Sequence, residues 1–479
     1  MAALNEVHRQ TKGLVLKHFK EINCMIIEVE QDDTFLSTYR AVEGVLTVEE
    51  DVKCHRAFNS PNDPLYSNRF GENGAQWGLE RIEPEKAWEM LTPRHDKVLL
   101  AIIDSAIEVS HPDLRENIYE TINLAKEEQS DYDHGTAVTG VAAAVTDNKK
   151  GIASVSYNQA HVLSIAVDSS VSRVIEGVLE AVRRRAKIIS ISLWSPEYVH
   201  ALQQAINHAW SRGLIIVAGA GNYGSEYVGY PAGNNYVLSV SATNQEDEIA
   251  YFSNWGIHVG VCAPGEQILT TVPTYKTNQS IFQSTFYDYV NGTSFSTPFV
   301  SGAIVLLWSL FPKLTNQELV QLVQRGSSPL DLMGKKWSWN PYAGYGLINV
   351  RKTVEHLLEP ARSSSHEKGS FYGQLIDQNG LPVEEATITA SIEGVDKALY
   401  RTKPIRMNNS TYQSDGMFRL SNLPSGFYEI QVGLEPDISV VVERATVVPG
   451  GDVYLQLVVD IVDIPKEEPL TEDEDISRS

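Results

Sequence analysis

The sequence predicts an α/β protein: a parallel sheet with helices on both faces, a small α+β unit before it, and an all-β sandwich after it. Three observations carry this. Between about 97 and 218, apolar runs such as KVLLAII (97–103) alternate with helical stretches, the pattern of strands buried on both faces. Beyond about 370 the pattern becomes short alternating strands separated by turn signals, which indicates a sandwich. Before about 58 a compact helix, strand, helix, strand pattern stands apart from both.

In chain order, the first unit reads as a helix at 5–12, a strand at 22–29, a helix at 34–42 and a strand at 45–48. A polar connector with Pro61 and Pro64 follows at 57–70, an exposed place for nicking. The main domain, 59–360, opens with the strand 97–103, which ends in Asp104. A small-residue helix at 136–145 opens at His134-Gly135. Then come strand 163–167, helix 172–185, strand 188–193, helix 201–212 and strand 214–218. The stretch VNGTSFSTP (290–298) leads into an apolar helix at 299–307. In such sheets, active groups gather beyond the carboxyl ends of the strands, and Asp104 and Asn222 both follow such ends.

Ser363-Ser364-Ser365 marks a linker at 361–370. The sandwich, 371–462, reads as strands 371–376, 386–392, 417–420, 428–432 and 453–459. Asn379-Gly380, Asp415-Gly416 and Pro449-Gly450-Gly451 are its turns. The acidic tail, 463–479, reads as solvated.

The 479 residues carry a net charge of −22, which argues against nucleic acid or an anionic membrane as partner. No run approaches membrane-spanning length, and no basic start leads into an apolar core as in a secretion signal. The expected compartment is therefore the cytoplasm, or the exterior if the true start lies upstream. Cys24, Cys54 and Cys262 have no metal-ligand spacing and make no disulfide framework. Cys262 reads as a small core residue.

The chemistry rests on Asp104, His134 and Ser294. Singly, each has an ordinary reading as a turn residue, a structural histidine or a helix cap. Together, in that order, they suggest a nucleophile with its base and orienting acid. Ser294 at the mouth of a helix also meets free N–H groups and the positive dipole end. Asn222, after a glycine-rich strand end, offers a side-chain amide to an oxyanion beside the Ser294 N–H.

IIDSAIEVSHPDL (102–114), DHGTAVTGVAAA (133–144), VAGAGNYG (217–224) and NGTSFSTPFVSG (291–302) resemble the four signature blocks of subtilisin-like serine proteases. Blocks at 230–244, 251–256, 263–271 and 343–350 are similar to intervening segments of the family, and SPNDPLYSNRFGENGAQWGLERI (60–82) to the mature start in its thermitase branch. The resemblance covers about 78–358. It implies a subtilisin-like fold, with Asp104, His134 and Ser294 as triad and Asn222 with the Ser294 N–H as oxyanion hole. It also implies substrate binding by Ser192, Leu193, Trp194, Ala220, Gly221 and Gly229. VEGVLTVEEDVKCHRAF (42–58) resembles the end of the family's inhibitory propeptide, which places self-cleavage in 55–59. The usual opening strand of that propeptide is absent from the pattern. GQLIDQNGLPVEEATITA (373–390) and SDGMFRLSNLPSGFYEIQV (414–432) resemble carboxypeptidase-regulatory-like, transthyretin-type domains.

Departures from the family pattern are Ala106 for a glycine, Ala137 for a histidine, and Trp194 for a glycine on the substrate-pairing strand. Trp194 either narrows the first specificity pocket or lies turned away over the surface. Gly229 at the pocket floor leaves room for a bulky side chain. The loop 146–150 sits where many relatives bind calcium, but Lys149 and Lys150 disfavour a cation, so no cofactor or metal is expected, with calcium at this loop as the alternative. The expected function is a self-processing serine endopeptidase acting on protein or peptide, with its own N-terminal segment as intramolecular inhibitor. The alternative is a catalytically silent scaffold that binds a protein partner. No Gly-x-Ser-x-Gly elbow supports a lipase or esterase.

Overall fold

The computed structural model describes residues 2–10, 12–20, 23–29, 35–49, 60–67, 76–92, 95–125, 133–168, 170–276, 281–332, 335–336, 339–358, 369–378, 381–383, 386–392, 400–402, 416–423, 426–434, 438–447 and 452–459. The expected cleavage segment 55–59 and the tail 463–479 lie outside the described residues. The chain forms two compact units, Met1–Phe58 and Asn59–Ser479.

The first unit holds a helix Ala2–Gln10, strands Leu14–Phe19 and Cys24–Glu28 paired antiparallel, and a helix Phe35–Arg40. Two expectations are corrected. An opening strand is present at Leu14–Phe19, where consecutive exposed Leu14, Val15 and Leu16 and a bulge at Val15/Lys17 give no two-residue period to read. Residues 45–48 form no strand. Arg40 Nη2 donates to the Val48 carbonyl at 3.0 Å, and this stretch has no ladder partner among the described residues.

The second unit contains the expected sheet. Its seven strands are all parallel and lie in the order Ile118–Asn123, Ala160–Ala166, Val98–Asp104, Ile188–Ile191, Ile215–Gly219, Val237–Thr243 and Val259–Pro264. Alternation decides what each face meets. Ala101, Ile103, Ile189, Ile191, Ile216 and Ala218 pack under the helices Val171–Arg183 and His200–Ser211 through Val178, Ala181, Leu202 and Ile206. The opposite face, which carries Leu100, Ile102, Ser190 and Asp104, meets the helices Asp133–Ala143 and Thr293–Leu310.

The helix Thr293–Leu310 is long and apolar enough by composition to cross a membrane, contrary to the sequence expectation, yet it is 89% buried within the protein. It is apolar all round because it runs through the core. Ser301 Oγ donates to Ser190 Oγ at 3.0 Å, and Ser192 Oγ donates to the Ser294 carbonyl at 2.9 Å. Ser190 on the strand and Ser192 just past its end thus meet residues seven apart on the helix, so this side of the sheet holds two turns of it.

The sandwich consists of a three-stranded sheet (Met417–Leu423, Gly369–Asp377, Asp452–Val459) facing a four-stranded one (Tyr400–Thr402, Ala386–Ile392, Gly426–Leu434, Ile438–Val447). Phe371, Leu375, Ile388, Phe418, Tyr428 and Leu455 fill it. Strands Tyr400–Thr402 and Ile438–Val447 add to those named from the sequence, and the first strand begins at Gly369, inside the expected linker. The sandwich is bound to the main domain through polar side chains. Asn235 Nδ2 donates to Glu443 Oε2 at 3.0 Å and to the Gln456 carbonyl at 2.9 Å, and Tyr236 Oη donates to Glu443 Oε1 at 3.0 Å. Burial and the nearby Glu443 carboxylate push the Tyr236 phenol well up.

Candidate active site

Asp104 is the last residue of its strand and 1% exposed. Its Oδ1 accepts from the Ser105 N–H and from His134 Nδ1, both at 2.7 Å. Its Oδ2 is buried with no partner among the described residues. A buried carboxylate with one idle oxygen costs free energy unless a positive group compensates it, and the imidazole is the group in reach.

His134 lies in the first turn of the helix Asp133–Ala143. A Cβ on Gly135 would come 2.3 Å from the Ser105 carbonyl, so only glycine lets the helix start this close to the Asp104 strand end. The Gly135 N–H donates to Ser105 Oγ at 2.9 Å and ties the two termini together. On its other side the His134 ring lies 5.6 Å, centroid to centroid, from the Phe295 ring. Phe295 is the residue after Ser294, so the imidazole packs against the turn that carries the hydroxyl.

Ser294 occupies the first turn of the helix Thr293–Leu310, which follows Gly292 at φ +147°. Pro298, four residues on, has no N–H to give the Ser294 carbonyl. Ser192 Oγ donates to that carbonyl instead, so the backbone group freed by the proline remains satisfied.

Asn222 lies three residues beyond the strand Ile215–Gly219, after Gly221 at φ +112°. Its Oδ1 accepts from the Thr293 N–H at 2.8 Å and from Thr293 Oγ1 at 2.9 Å. With Oδ1 engaged there, Nδ2 is the donor left, and it lies 3.4 Å from where a Cβ on Gly292 would be. Strand ends 98–104, 188–191 and 215–219 and two helix starts thus bring Asp104, His134, Ser294, Ser192 and Asn222 to one place.

Ser195 and Tyr230 exchange backbone hydrogen bonds of 2.8 and 2.9 Å, which set Trp194 beside Gly229. Ala220 is buried, and Leu193 packs against the core below the sheet. The expectation that Gly229 leaves room for a bulky side chain is corrected. That room holds the Trp194 indole, whose Nε1 lies 1.5 Å from where a Cβ on Gly229 would be. Sequence reading also missed the supporting roles of Ser105, Thr293, Phe295, Tyr223 and Tyr227. A phenylalanine beside the serine is indistinguishable by pattern from a core residue.

The loop 146–151 is tied down by side-chain hydrogen bonds. Asp63 accepts from the Asp147 and Asn148 N–H groups at 2.7 and 3.1 Å. Asp113 accepts from Asn148 Nδ2, the Ile152 N–H and Tyr287 Oη at 2.7, 3.0 and 3.3 Å. Asn148 Oδ1 accepts from the Lys150 N–H at 2.7 Å. The oxygens that calcium would need are already bonded, so this donor set does not fit the ion. Burial pushes Asp113 up to about 7 and also raises Asp63. The buried Cys262 thiol is likewise pushed up, in keeping with an inert core residue.

The subtilase family model matches residues 95–346. The chain is 32% identical over 305 residues to thermitase of Thermoactinomyces vulgaris, covering 62% of this chain and 100% of thermitase. It is 31% identical over 366 residues to subtilisin E of Bacillus subtilis, covering 74% and 86% of the two chains. Among solved structures, a protease from Pseudoalteromonas arctica superposes with a TM-score of 0.54 at 25% identity, covering 62% of this chain and 99% of that one.

Proposed function

Because the chain belongs to the subtilase family of serine proteases, we propose that it cleaves peptide bonds through an acyl-enzyme on Ser294. Ser294 Oγ attacks the scissile carbonyl, and His134 takes its proton and returns it to the leaving amine. Asp104 fixes the imidazole tautomer, with the Nδ1 proton directed at Oδ1, and stabilises the imidazolium. The Asn222 amide and the Ser294 N–H receive the oxyanion. The observation that carries this reading is the 2.7 Å Asp104–His134 hydrogen bond beside the serine's helix start.

The first unit acts in this reading as an intramolecular inhibitor, removed by cleavage within 55–59. Leu14, Leu16 and Leu46 are apolar side chains that this unit does not bury in its own fold, which suits a segment that works by covering another surface. Hydrolysis of denatured casein by the wild type, abolished in Ser294→Ala with the fold intact, is the expected outcome. Equal hydrolysis by both proteins would reject Ser294 as nucleophile, and none by either would favour the silent scaffold.

A further inference from the structure

We propose that Trp194 is the specificity-determining residue of this site and restricts the residue that supplies the scissile carbonyl to glycine or alanine. This rests on Ser294 being the nucleophile. On that reading, the side chain next to a carbonyl that Ser294 attacks and Asn222 faces enters the space bounded by 192–194, 220–221 and 229, the segments tied to the serine's turn. Both walls are anchored to the serine's turn, one through the Ser192 hydroxyl and the other through the Asn222 carboxamide and the Gly221 N–H, which donates to Thr293 Oγ1 at 3.2 Å.

The indole occupies that space. Built Cβ atoms on Gly229 and Gly221 would lie 1.5 and 3.1 Å from Trp194 Nε1. Residue 229 must be glycine for the tryptophan to lie there, and at 221 a side chain would crowd the ring. Tyr223 and Tyr227 enclose its outer side at ring distances of 4.9 and 5.6 Å. Those tyrosines are fixed in turn: Tyr223 N–H donates to Asn254 Oδ1 at 2.7 Å, Asn254 Nδ2 to the Tyr227 carbonyl at 3.3 Å, and Tyr227 Oη to the Pro196 carbonyl at 3.3 Å. Packing alone holds the ring, since Nε1 is buried without a hydrogen-bond partner among the described residues. Removing the ring therefore breaks no hydrogen bond and opens the pocket.

A single methylene in such a pocket changes selectivity by about 10–200-fold. Quenched peptides that differ only in Ala or Phe before the scissile bond, assayed with wild type and Trp194→Gly, test this. We expect wild type to favour Ala by at least about 100-fold in kcat/KM and the variant to reverse the order. Equal or better cleavage after Phe by wild type, or the same ratio in both proteins, overturns the proposal. Trp194→Ala serves should the glycine variant fail to fold. Fluorophosphonate labelling of wild type separates the two failures: absent labelling sinks the nucleophile, whereas labelling with an unchanged ratio sinks only the role of Trp194.

Discussion

At the scale of single residues, the carbonyl of Ser294 explains why Pro298 and Ser192 occur together. The proline removes one donor, and the serine on the neighbouring strand supplies another. The same reasoning assigns Asn222 its direction. Thr293 takes the amide oxygen, so the nitrogen is the donor left over, as the proposed role toward an oxyanion requires. Asn222→Ala should lower kcat by about 10²–10³-fold with little change in KM, a magnitude itself measured on a subtilisin. Single-turnover kinetics on a chromogenic peptide would check this, and a loss confined to KM would contradict it.

Asp113 makes a prediction in pH. Its folded pKa of about 7 lies above the unfolded value of about 3.9. The folded state therefore holds more protons between those values, and this carboxyl's contribution to stability falls as pH rises from about 4 to about 7. Asp63, shifted the same way, adds to it. Asp113→Asn should flatten the decline of Tm over that window in thermal scans. EDTA should leave the wild-type Tm unchanged, because the loop oxygens are already bonded. An EDTA-induced drop in Tm, restored by calcium, would contradict this account of the loop.

At the scale of elements, the sequence was legible where a period or a run was strong. The strand ending in Asp104 and the helix from His200 to Ser211 stand out because most of their inward positions are apolar, Gln203 and Asp104 being the polar exceptions. The edge strand Ile118–Asn123 was not legible, since it alternates half-exposed with exposed positions and carries Glu120. The strand Ile438–Val447 was hidden because a bulge at Ile430/Gln431 breaks its register with the neighbouring strand Gly426–Leu434. Of the candidate site, Asp104, His134, Ser294 and Asn222 were readable from their motifs. The filling of the Gly229 pocket was not, because residue identity at 194 does not state which way an indole turns.

Docking of the sandwich belongs to this scale too. Asn235 is buried and bonds to both Glu443 and Gln456. Asn235→Leu would leave those groups buried and underpaired, at a cost of about 2–4 kcal/mol. Urea unfolding followed by tryptophan fluorescence should show a lower midpoint. An unchanged midpoint would mean that the polar seam contributes nothing to stability.

At the scale of the molecule, three sequence grammars map onto two compact units, with the sandwich and the parallel sheet sharing the larger one. The segment that frames the Trp194 pocket, Gly229 to Tyr236, is the same segment that meets Gln456 and Glu443. The sandwich thus hydrogen-bonds to the segment that lies behind the Trp194 ring, which a motif search over the main domain alone does not show. The central claim is the reactivity of one hydroxyl. It is tested most directly by treating the purified chain with a fluorophosphonate and mapping the adduct by peptide mass spectrometry. The account predicts one adduct per chain, on Ser294, lost in His134→Ala; an unmodified Ser294 in correctly folded protein freed of its first unit would contradict it.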